Sequence, residues 1–220
     1  MNSLLERVNL VCRHVQRMGD SPLTFKKLIV LIRRSFRDSD IDILLKTKKS
    51  KILDNEHYYV EAFYDADNDF NNEVPIEVFI HHNFSDINPF NTPQVTELLI
   101  QIFDAVTHEL RHQQQSKKRN YQTYSNHDSE PYSKYLADPD ELDAYSLSIA
   151  IELLRYLPKE RAERYMSKLT VFSKLKHGAF LISPTLSAYI GQFKKNPLLK
   201  KLSKKVYKNI EMIDPTQIFK

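Results

Sequence analysis

Five consecutive residues have the types and the spacing that could bind a metal ion and use it. They are His108-Glu109-Leu110-Arg111-His112, a His-Glu-x-x-His pattern. On an α-helix, His108 and His112 lie one turn apart on the same face, so their imidazoles can bind one ion. Zinc in catalytic sites takes three protein ligands and leaves a fourth position to water. Glu109, turned by about 100° around the helix, can reach that water as a general base. The pentapeptide therefore predicts a Zn²⁺ site with Glu109 as its catalytic residue.

The residues before the motif predict the helix that the motif requires. Thr92-Pro93 is a typical helix start, with a hydroxyl that can cap the helix and a proline at the first helical position. Apolar residues then recur at spacings of three and four and form one stripe, made of Val95, Leu98, Leu99, Ile102, Phe103, Val106 and Leu110. We therefore expect both histidines on a buried or half-buried helix.

A second predicted helix supplies candidates for the third metal ligand. It begins at Asp138-Pro139, with the aspartate as its cap, and Glu141 lies in its first turn. A carboxylate from a second helix commonly completes a site that holds two histidines and one glutamate. Glu141 also fits a capping box with Asp138, in which its carboxylate would only bind the backbone amide of the cap.

Other residues near Glu141 compete for the same role. Asp143 is the second candidate, either as a ligand or as an acceptor for the outer N–H group of a ligand histidine. Weaker candidates are Asp138, Asp140 and His127. Spacing alone leaves these alternatives open.

The two segments together resemble a known group of proteins. His108-Glu-x-x-His112-x-x-Gln115, followed by Asp138-Pro-Asp-Glu141-Leu-Asp-Ala144-Tyr145-Ser, is similar to the zincin-like metallopeptidases of the gluzincin type that many tailed phages carry. It is more distantly similar to regulatory metallopeptidases with a Glu-x-Glu-Ala motif. The resemblance covers roughly residues 92–155, and it implies that Glu141 is the third zinc ligand.

Two segments before the motif helix predict strands. Residues 57–64 and 74–82 are rich in β-branched and aromatic side chains, and the polar stretch 65–72 between them indicates a hairpin or a longer connection. The expected fold is α+β and zincin-like, with a small sheet over the motif helix and mostly helical N- and C-terminal parts. Because Pro75 is early in its strand, we expect residues 74–82 at the sheet edge, where a peptide substrate could add as a strand; an interior strand is the alternative.

The remaining predicted elements are helices and one loop. Residues 4–18 and 22–36 form two amphipathic helices, and residues 159–175, 184–193 and 197–213 form three more. We expect residues 1–220 to form a single zincin-like domain, with residues 158–220 as a C-terminal helical appendage. The polar loop 113–135 offers Tyr, His and Arg donors for a tetrahedral oxyanion, among which the sequence does not choose.

The last predicted helix is basic on one face. Its lysines are Lys200, Lys201, Lys204, Lys205 and Lys208, opposite an apolar stripe. Such a helix could contact nucleic acid or an acidic partner weakly, or it could be a solvated face over a packed stripe.

Composition excludes several other classes of protein. Cys12 is the only cysteine, so no intramolecular disulfide can form, and the three glycines lie too far apart to build a phosphate-binding loop. The N-terminus lacks the layout of a signal peptide, and no apolar run approaches the ~18 residues of a membrane span. We expect a cytoplasmic protein without membrane contact, located in the host cytoplasm or associated with a virion if it is encoded by a phage.

These patterns predict an enzyme, a zinc metallopeptidase of the HExxH type that acts on a peptide or protein substrate. The rival hypothesis is a non-enzymatic structural or regulatory protein, virion-associated or in contact with DNA, that keeps the same scaffold. The two hypotheses differ in whether Glu109 is required for activity.

Overall fold

The chain folds as a mixture of α-helices and a small β-sheet. The computed structural model describes residues 2–18, 23–37, 40–53, 57–70, 74–85, 87, 89–122, 131–167, 182–193 and 197–220. Its contacts form two compact units, the first made of Met1–Tyr121 with Phe219 and the second of Gln122–Ile218 with Lys220. The α+β class is therefore confirmed, whereas the single domain with an appendage from residue 158 stays a prediction.

Three helices form most of the first unit. They are α1 (Asn2–Met18), α2 (Phe25–Arg37) and α3 (Thr92–Lys118), and α1 packs against both of the others. Each helix buries its apolar stripe because period-3.6 patterning places those side chains on one face. The stripe of α3 from Val95 to Val106 is buried as predicted, while Leu110 is half-buried.

A three-stranded sheet packs on α3. Its strands are β2 (Ile43–Lys49), β3 (Tyr58–Phe63) and β4 (Ile76–His82), in the order β2-β4-β3. β3 and β4 are the two predicted strands and pair in antiparallel fashion, and β2 runs parallel to β4 on its other side. Two short strands, β1 (Leu23–Thr24) and β5 (Pro89–Phe90), pair separately with each other.

The prediction that residues 74–82 lie at the edge of the sheet is wrong. β4 is the central strand, and Pro75 precedes its first residue, so the proline removes no hydrogen bond from the ladder. β2 was not predicted; in this strand three apolar residues are followed by Lys46, Thr47, Lys48 and Lys49. Lysines are typical of edge strands, where they discourage pairing with other chains.

Both ends of α3 differ from their predicted positions. Asn91, not Thr92, caps the helix, because its side chain accepts from the Gln94 backbone N–H while the Gln94 side chain accepts from the Asn91 N–H. The helix also continues through Lys118 into the predicted loop. Residues 113–118 are polar but include no helix breaker, and the helix ends where Asn120 adopts a φ of 53°.

The second unit is helical in its described part. It contains α4 (Tyr132–Ala137), α5 (Pro139–Tyr156), α6 (Lys159–Ser167), α7 (Pro184–Phe193), α8 (Pro197–Met212) and a 3₁₀ turn (Pro215–Gln217). α5 packs against α6, α7 and α8. α4 begins inside the predicted loop 113–135 and extends past its end, and positions 168–175 of the predicted helix 159–175 lie outside the described residues.

The lysine-rich helix α8 covers a packed stripe. Its Leu199, Leu202, Val206 and Ile210 are buried, and Lys205 pairs with Asp143 at 2.6 Å.

None of the helices in the described ranges is both long enough and apolar enough to cross a membrane.

Candidate metal centre

The two histidines of the motif lie on α3 just beyond its buried stripe. The helix is held from Val95 to Thr107 by packing on α1, β3 and β4, and His108 and His112 are half-buried on the following turn. Burial of the preceding turns fixes the rotation of the helix about its axis. The direction of both imidazoles therefore follows from the packing of α3.

The imidazoles converge on one point. Nε2 of His108 lies 3.1 Å from Nε2 of His112, with ring centroids 4.8 Å apart and ring planes inclined by 73°. Two ligands of a tetrahedral zinc ion, each at 2.0–2.1 Å from it, are about 3.3 Å apart. The spacing and the nitrogen donors therefore fit a zinc ion bound by both rings.

Gln115 fixes the tautomer of His112. Its side-chain oxygen lies 2.9 Å from Nδ1 of His112 and, being an amide oxygen, can only accept a hydrogen bond. Nδ1 of His112 therefore carries the proton, and Nε2 keeps its lone pair for a metal ion. Gln115 is buried, so water competes little for this contact. Outer contacts of this kind orient ligand histidines and raise their basicity.

Glu109 is held by the end of β3. Its Oε2 accepts a hydrogen bond from the backbone N–H of Tyr64 at 3.1 Å. The Tyr64 hydroxyl in turn donates to Oδ2 of the fully buried Asp69 at 2.6 Å. Burial, reinforced by Asp69, raises the pKa of Tyr64 above its usual range, so the hydroxyl keeps its proton for this bond. The carboxylate of Glu109 thus has a fixed support on the sheet.

Glu141 lies in the first turn of α5, as predicted. Asp138 caps this helix by accepting from the backbone N–H groups of Asp140 and Glu141, at 2.8 and 3.3 Å. The Asp138 N–H itself donates to the Tyr135 carbonyl at 3.0 Å, which is not the capping-box arrangement. Glu141 belongs to the second compact unit, whereas His108 and His112 belong to the first, and its role as the third ligand stays a prediction.

Tyr135 contacts both Glu141 and Tyr145 through its hydroxyl. The Tyr135 hydroxyl hydrogen-bonds to the Glu141 carboxylate and lies 3.5 Å from that of Tyr145. Burial, with a further contribution from Glu141, raises the pKa of Tyr135 far above its usual range. The hydroxyl therefore stays protonated and donates to Glu141, which orients the carboxylate.

The other candidates take different roles. Asp143 pairs with Lys205, and Asp138 is the cap of α5. His127, like Tyr124 of the predicted oxyanion loop, lies outside the described residues. His81 and His82 point to opposite faces of the sheet as expected: His81 stacks on Tyr59, and His82 packs against Phe25.

Two contacts of this centre were missed from the sequence. The role of Gln115 had a signal, because a side chain three residues after His112 lies on the same helix face. The contact of Tyr64 with Glu109 had no such signal, because it is made by a backbone amide, which every residue except proline has, and the two residues are 45 positions apart.

Comparison with protein-family models, with curated proteins and with solved structures gives no match for this chain.

Replacing Gln115 with methionine should weaken zinc binding by about 10- to 100-fold, because it removes the acceptor for Nδ1 of His112 at similar volume. Competition with a chromophoric chelator measures the affinity. Gln114→Met, one position earlier and exposed, is the matched control and should keep the wild-type affinity. Equal affinities for the two variants would contradict this role of Gln115.

Proposed function

We propose that this protein is a zinc-dependent hydrolase, and specifically a peptidase, with His108, His112 and Glu141 as metal ligands and Glu109 as general base. The observation that carries the proposal is the 3.1 Å approach of the two Nε2 atoms on α3. The hydrogen bond from His112 to Gln115 supports it, because it leaves a lone pair on the nitrogen that faces His108.

Each residue of the centre has a separate task in this proposal. A bound zinc ion would supply a Lewis acid and lower the pKa of a water molecule to about 7. Glu109, oriented by the Tyr64 amide, accepts the proton of the attacking water and returns it to the leaving amine. Tyr135 positions the Glu141 carboxylate through its hydroxyl.

The sheet supports a peptide as the substrate. β3 pairs with β4 on one side, and no strand pairs with its other side among the described residues. Its backbone can therefore bind an extended chain by strand addition. The amide of Tyr64, directly after β3, contacts Glu109, so a peptide added along β3 would run toward the proposed base. A zincin-like fold, with the sheet over the motif helix, is part of this proposal.

Glu141 rather than Asp143 should be required for zinc affinity. Glu141→Gln removes a negatively charged ligand and should weaken zinc binding by more than about 100-fold, beyond the usual contribution of outer-sphere partners. Asp143→Asn breaks the ion pair with Lys205 and should change the zinc affinity little. Isothermal titration of the metal-depleted protein with zinc measures both. A larger loss of zinc affinity in Asp143→Asn than in Glu141→Gln would contradict the assignment and make Asp143 the third ligand.

Glu109→Gln should keep zinc but abolish hydrolysis, because the amide cannot take the proton of water. The expected loss of rate is about 10²- to 10⁴-fold, the usual contribution of a general base. Zinc-dependent cleavage of fluorescein-labelled casein measures it, and zinc content is determined on the same samples.

Glu97→Gln, an exposed change of the same type on α3, is the control and should keep full activity. Full activity in Glu109→Gln would rule out the mechanism. Absence of zinc-dependent cleavage by the unchanged protein would instead favour the non-enzymatic alternative.

A further inference from the structure

A groove between α1 and α2, separate from the histidine pair, is lined by basic side chains. It has a volume of about 660 Å³ and is bordered by Arg7, Arg13, His14, Arg17 and Arg34. The rest of its lining is leucine and serine, with no carboxylate among the described residues. The proposed hydrolase assigns no role to these side chains.

This helix pair is one of two strongly basic parts of the sequence, the other being the lysine-rich residues 194–208. Residues 2–37 include eight Lys or Arg and two Asp or Glu, a net charge of +6, while the whole chain carries +4. The remaining residues therefore carry a net charge of −2. The net charge of the whole chain is therefore smaller than that of this pair of helices alone, which is strongly basic.

Three of the groove arginines are available to a ligand. Arg13, Arg17 and Arg34 are exposed, and none of them forms an ion pair with any described residue. Holding several like charges around one concavity costs electrostatic free energy, and a bound polyanion would relieve that repulsion.

We propose that the α1–α2 groove binds the phosphate backbone of double-stranded nucleic acid without sequence preference. Arginine suits this ligand, because its planar guanidinium binds phosphate with two parallel hydrogen bonds. Arg7 and Arg17 are ten residues apart on α1, a rise of about 15 Å. That length matches roughly four successive phosphates of one strand at about 3.4 Å each.

The lining favours a duplex over the alternatives. No Phe, Tyr or Trp side chain lines the groove, whereas proteins that bind single strands stack bases on aromatic rings. An acidic protein segment would also neutralise the charge, but each of its carboxylates lies on a separate flexible side chain, whereas the phosphates of a duplex are held in a fixed row of high charge density. The lysine-rich helix α8 carries its charge on a solvated face with a packed stripe below it.

Binding of a fluorescein-labelled 20-base-pair DNA duplex to the full chain, followed by anisotropy over a series of salt concentrations, tests the proposal. With about four phosphate contacts, log K should fall against log salt with a slope of about −3.6. Arg13→Ala with Arg17→Ala should reduce that slope by about 2 and weaken binding at least tenfold at ~50 mM salt. Arg13→Lys with Arg17→Lys should keep the wild-type slope.

The matched control is Lys204→Ala with Lys208→Ala, which removes the same charge at the same four-residue spacing from exposed positions of α8. It should keep the wild-type slope and affinity. Absence of binding at ~50 mM salt, an equal loss in the lysine variant, or an unchanged slope in the arginine-to-alanine variant would overturn the proposal. Polyglutamate that competes with the duplex equally, charge for charge, would overturn it in favour of an acidic protein partner. Thermal unfolding of both alanine variants should match the wild type, since all four side chains are exposed.

Discussion

The interaction on which the candidate centre depends is the approach of two imidazoles across one turn of α3. Two nitrogen atoms 3.1 Å apart can share one proton or one metal ion, and the bond from His112 to Gln115 leaves the His112 nitrogen as an acceptor in either case. The pair keeps this geometry because the preceding three turns of α3 are buried against α1 and the sheet. Apolar packing thus sets the position of polar groups that contribute little to the core themselves.

The sheet contributes to the same centre through its backbone. β3 ends where the Tyr64 amide meets Glu109, and the buried bond between Tyr64 and Asp69 holds that end in place. A charged acceptor bound by a backbone N–H has a defined direction, since the amide cannot rotate as a side chain does. Strand, helix and carboxylate therefore form one connected arrangement within the first unit, which suits a general base.

Local patterns in the sequence were sufficient for α1, α2, α3 and α5 and for the histidine pair, because periodicity and the four-residue spacing are properties of a single helix. Contacts between distant segments could not be predicted in the same way. β2 is not evident from the sequence because its lysines weaken the strand pattern, and without β2 the strand β4 has a partner on one side only. The basic groove could not be predicted either, because it forms only when α1 and α2 pack and bring their arginines together.

The central claim is that His108 and His112 bind the same zinc ion. Anomalous scattering from zinc-soaked crystals, measured above and below the zinc absorption edge, locates the ion without assumption about its ligands. We predict one difference peak per chain, about 2.0–2.1 Å from Nε2 of both histidines. A map with no peak at that point, or with its zinc bound elsewhere on the chain, would contradict the account.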